Sequence, residues 1–63
     1  MKTLQEAKEN FKDVYIMHIA DQDDERLKTR YIAQRDLMEF IYGEEFTSQE
    51  ARWYKEALTE YFG

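Results

Sequence analysis

VYIMHIADQDDER, residues 14–26, joins a run that reads as a strand to a stretch with four acids in five positions. Val14-Tyr15-Ile16-Met17-His18-Ile19 is rich in β-branched and aromatic residues, which favour extended structure when read alone. A strand needs a partner, and the chain offers no second run of this kind. A lone extended segment would leave its backbone donors and acceptors unpaired. The stretch is therefore read as the end of a helix, and DQDDER as its exit loop and the cap of the next.

Working outward from there, three helices emerge. The chain has no Pro, and its two Gly are Gly43 and Gly63, so no breaker interrupts the long periodic segments. The first helix spans about residues 3–20. Thr3-Leu4-Gln5-Glu6 fits a capping box. Leu4, Ala7, Phe11, Val14, Tyr15, His18 and Ile19 form its apolar stripe at spacings of three and four. The second helix spans about residues 24–42, capped by Asp23 or Asp24. One face carries Leu27, Tyr31, Gln34, Leu37, Met38, Ile41 and Tyr42, and Gly43 stands where a left-handed residue is wanted. The third spans about residues 47–62. Thr47-Ser48-Gln49-Glu50 reads as a second capping box, with Phe46 and Ala51 in staple positions. Its inner stripe is Ala51, Tyr54, Leu58, Tyr61 and Phe62, widened on one side by Trp53 and Ala57.

Short connections favour antiparallel neighbours. The expected fold is all-α: a compact three-helix bundle, with a helical hairpin that dimerises as the alternative. Sixty-three residues make one domain at most, and a chain this short buries only about 60% of its unfolded surface. There is no Cys, so neither a disulfide nor a thiolate metal site can supplement the core. Ten aromatic residues supply the apolar mass instead, in a chain that is 37% charged.

The net charge of −5 argues against direct nucleic-acid binding and against an anionic membrane surface. The N-terminal MKTLQEAKEN is polar and helical in pattern, unlike a signal peptide. The longest apolar run, Val14 to Ala20, falls far short of the ~20 residues of a span. A cytoplasmic setting is expected.

Enzyme chemistry finds few parts. The single Ser, Ser48, and the single His, His18, are not spaced for a nucleophilic triad. A calcium loop starting at Asp21 would need Gly and Glu where Arg26 and Ile32 stand, and no Gly-rich phosphate loop exists. A groove-reading third helix would carry Glu50, Glu56 and Glu60 toward phosphates. No enzyme activity, metal or cofactor is expected. His18 reads as a partly buried structural residue within reach of Asp21.

What remains is a surface. Glu6, Glu9 and Asp13 lie opposite the stripe of the first helix, and further along that outer side come Ile16, Met17 and Ala20. These three either meet another helix of the chain or another protein. Ile32 and Phe40 lie off the second stripe, where the wide face of a bundle helix covers them. The functional expectation is a protein–protein interaction module: a small acidic inhibitor or adaptor docking a basic, nucleic-acid-handling partner. Ile16, Met17 and Ala20 would anchor it, and Asp21, Asp23, Asp24 and Glu25 would steer it. In composition alone it resembles small acidic, Cys-free inhibitors of phages and mobile elements, of which DNA mimics are the strongest form. The alternative is a structural protein that closes a symmetric homodimer through the same surface.

Overall fold

In the computed structural model, residues 3–63 are described; the helical reading of Met1 and Lys2 lies outside them. Helix α1 (Leu4–Ala20) starts at an extended Thr3, whose Oγ1 accepts the Glu6 N–H at 3.2 Å. The VYIMHI run is helical throughout. The Asp21 N–H closes on the Met17 carbonyl at 3.3 Å and a three-residue turn follows. Helix α2 (Glu25–Tyr42) is capped by Asp24 rather than Asp23: its Oδ1 accepts the Arg26 N–H at 2.9 Å.

Gly43 ends α2 at φ 57° and ψ −128°. The positive φ is as expected, but the ψ is that of the first inner position of a type II′ turn, which residues with a Cβ rarely adopt. The chain then forms a single helical turn, α3 (Glu44–Thr47), before α4 (Glu50–Phe62).

The start of the last helix differs from the expectation. Thr47 closes α3 instead of capping α4, and Gln49 takes the cap position without a side-chain bond. Burial explains the change. The extra turn, held by Phe46 and Thr47 N–H groups on the Gly43 carbonyl at 3.1 Å each, carries Phe46 into the core. A cap contributes about 1 kcal/mol, whereas burying a Phe contributes roughly 1.5–3 kcal/mol. Gln49 Nε2 donates to the Glu45 carbonyl at 2.7 Å and braces the new corner.

Helix α1 is the hub. It packs against α2 on one flank and α4 on the other. Lys8 pairs with Glu56 and Lys12 with Glu60, so α4 runs in the direction of α1. The all-α bundle of three long helices holds, with α3 as one turn inside the second connection; an open hairpin does not describe it. The radius of gyration is 11.4 Å, near the roughly 11 Å of a compact chain of this length.

Phe11, Phe46, Trp53 and Met38 fill the centre. The Phe11 ring meets Phe46 edge-on at 5.2 Å and Trp53 at 5.9 Å, the tilted arrangements that aromatic quadrupoles favour. Two stripes are turned from their expected centres. In α4, Trp53 and Ala57 are buried, while Ala51, Tyr61 and Phe62 are exposed. In α2, Met38 is buried, while Leu37 and Ile41 lie on an open flank. Trp53 is the largest apolar side chain of α4, and seating it against Phe11 and Phe46 sets the rotation of that helix.

Candidate interaction surface

The bundle has a closed side and an open side. On the closed side, side chains of α1, α2 and α4 converge on a polar chain laid over the aromatic core. The Arg35 Nε–H donates to Glu50 Oε2 at 2.7 Å, and the Tyr54 hydroxyl donates to the same oxygen. Because the carboxylate only accepts, the Tyr54 oxygen is left to accept from the Tyr31 hydroxyl. Burial, reinforced by the bond to Glu50, pushes the Tyr54 phenol far above its ordinary range. Burial also raises Tyr15, whose ring lies 4.5 Å from that of Tyr54.

Lys12 is 4% exposed yet charged. Its ammonium meets Glu60 at 2.9 Å and Glu56 at 3.7 Å, and the bond to Glu60 outweighs burial to raise its pKa. Lys8 holds Glu56 at 2.9 Å and lies 5.8 Å above the Trp53 ring. The Lys8 contact lowers the Glu56 pKa. His18 is half-buried as expected, but it stacks on Tyr31 at 5.3 Å instead of bonding Asp21. Its Nδ1 has no hydrogen-bond partner among the described residues.

The open side lies along the α1–α2 pair. A groove of about 290 Å³ runs between Ala7 and Asn10 of α1 and Gln34, Leu37, Met38 and Ile41 of α2. Leu37 is 52% exposed, and Phe40, one turn further along α2, is 87% exposed. The expectation that a widened stripe would cover Ile32 and Phe40 fails: both stand in solvent, because α4 lies against α1 and leaves the outer flank of α2 bare. A scattered exposed Leu means little, but Leu37, Phe40 and Ile41 follow at helical spacing beside a groove.

The proposed anchors separate. Ile16 is half-buried, while Met17 and Ala20 are exposed. Ile16 is thus the least open of the three. Met17 falls in one helical row with Glu6, Asn10, Asp13 and Ala20, so it extends the α1 wall of the groove toward the Asp21–Asp24 turn. Asp21, Asp23 and Glu25 are exposed at that end. Asp24 is half-buried, and its bond to the Arg26 N–H lowers its pKa, so it serves first as a cap.

Sequence reasoning did not single out the Leu37–Ile41 face or the buried Lys12. Phe40 lying one turn from Leu37 was the available signal for the face. For Lys12, the matching spacings of Lys8 and Lys12 with Glu56 and Glu60 were the available signal.

Among the described residues no group of three or more His, Cys, Asp or Glu is placed to hold a metal ion, and no helix is long and apolar enough to cross a membrane. Comparison with protein-family models, with curated proteins and with solved structures finds no match.

Proposed function

We propose that the chain is a non-enzymatic protein–protein interaction module, an inhibitor or adaptor of the cytoplasm that docks a basic partner through the α1–α2 face. The observation that carries this reading is the run of exposed Leu37, Phe40 and Ile41 beside an apolar groove, on a flank that α4 does not cover. Charge supports the choice of partner. Glu6, Asp13, Asp21, Asp23, Glu25, Glu44 and Glu45 are exposed and paired with no cation among the described residues. Together with the net charge of −5 they favour a cationic surface, such as that of a nucleic-acid-handling protein, and accelerate encounter with it. Self-association would instead bring two chains of the same charge together.

The test is site-directed photo-cross-linking in the native host. A photoreactive residue replaces Phe40 in one variant and Thr59, on the exposed side of α4, in another. The reading expects one basic protein to be captured from position 40 and not from position 59, with capture falling as salt is raised. Equal capture at both positions, or capture insensitive to salt, contradicts it.

A further inference from the structure

The geometry points to the occupant of the groove: an amphipathic helix of the partner, with Lys or Arg beside its apolar stripe. This rests on the interaction reading above and specifies its site and ligand. Both walls of the groove lie within α-helices, α1 and α2, whose backbone groups are already paired internally. An extended segment laid there would find no sheet edge and would bury its own unpaired peptide groups. A helix brings its hydrogen bonds with it. Set against two antiparallel helices, it completes a four-helix arrangement.

The groove, at about 290 Å³, has room for side chains of a partner helix. Leu37 and Ile41 form a row at i and i+4 opposite Ala7, whose small side chain leaves room for an incoming apolar anchor. Asn10 and Gln34 place an amide at the groove from each wall, able to hold a polar group of the ligand.

Charge sets the flanks of the ligand. Glu6 and Asp13 stand in the same row as Asn10 on the α1 rim, and Glu44 and Glu45 are exposed just beyond the α2 terminus. Arg30 lies one turn before Gln34 in the α2 row and adds a cation toward the other end, where Asp21, Asp23 and Glu25 are also exposed. The ligand helix is therefore cationic where it crosses the Glu6 and Glu44–Glu45 end.

The test uses three synthetic 18-residue peptides and the whole ¹⁵N-labelled chain. One peptide has a Leu stripe flanked by Lys, one has the same stripe flanked by Glu, and one scrambles the first so that no helical stripe remains. The Lys-flanked peptide is expected to bind and to shift the amide signals of Ala7, Asn10, Leu37 and Ile41. Leu37→Glu is expected to weaken it at least about tenfold, as for the loss of a central contact. The exposed pair Glu44→Lys and Glu45→Lys weakens it too. Equal binding by the scrambled peptide, or by the Glu-flanked one, overturns the inference. So does a dimer of the chain alone that Leu37→Glu splits, since the occupant is then a second copy. If the cross-linking above succeeds while the shifts fall on Asp21 to Glu25 and spare Ala7, Asn10, Leu37 and Ile41, the module reading stands and the groove inference fails. If no peptide binds and no basic partner is captured, both fail.

Discussion

The flank of α1 that faces α4 and the flank of the α1–α2 pair that faces solvent are built from similar residues put to different uses. Toward α4, each large ring has neighbours. Phe11 touches Tyr31, Phe46, Trp53 and Tyr54, and Lys8 and Lys12 meet Glu56 and Glu60. Toward solvent, Leu37, Phe40 and Ile41 are exposed, and of the acids near them Asp36 and Glu39 meet Arg35 while Glu44 and Glu45 pair with no cation among the described residues. The first flank holds the fold together. The second adds little to it, and apolar side chains that do not hold a fold are the ones free to bind. Substitutions on the two flanks should therefore separate stability from binding.

The largest effect is expected at Trp53. Trp53→Ala should cost about 3–5 kcal/mol, comparable with the whole stability of a chain this short. Chemical denaturation would show an unfolded or molten chain; a native-like midpoint would break the assignment of this flank as the core.

Alkaline pH acts on the same flank. The folded-state pKa values of Tyr54, Tyr15 and Lys12 are all raised, the tyrosines first by burial and the lysine first by Glu60. For each group the stability is fully present below the unfolded value, 10.0 for the phenols and 10.5 for Lys12, and is lost as pH rises through the folded one. Melting temperature should hold to about pH 10 and fall above it, with phenolate absorbance rising as the chain unfolds. Phenolate signal from all five tyrosines near pH 10 in a still folded chain would contradict the buried network.

Gly43 comes next. Its backbone angles are strained for any residue with a Cβ, and Gly43→Ala should cost about 1–3 kcal/mol although nothing crowds the position. Thermal melts would show it. A loss below a few tenths of a kcal/mol would mean that the corner relaxes.

Much of this organisation was legible in the sequence. The Thr3 cap, a cap at Asp23 or Asp24, the Gly43 corner and the α1 stripe each follow from local chemistry, which acts on a few neighbouring residues. The errors came where tertiary packing overrode local signals. Phe46 displaced the Thr47 capping box by taking a place in the core, and Trp53 set the rotation of α4. The candidate surface was half legible for the same reason. Periodicity separated Met17 and Ala20 from the stripe. It could not show that α4 lies on α1 and leaves Leu37, Phe40 and Ile41 bare, because that depends on which neighbour a wide stripe meets.

The smallest effect on stability is expected on the open flank, where binding and folding separate. Leu37→Glu keeps a good helix former at a half-exposed site, and Phe40→Ser removes a ring that is 87% exposed. Each should change unfolding free energy by only about 0.5 kcal/mol. The decisive measurement is partner affinity of Leu37→Glu alongside its melting temperature. An unchanged melt with affinity lost at least about tenfold is the expected result. A collapsed melt, or a partner that binds as tightly as before, would show that this flank is not the binding surface of the bundle.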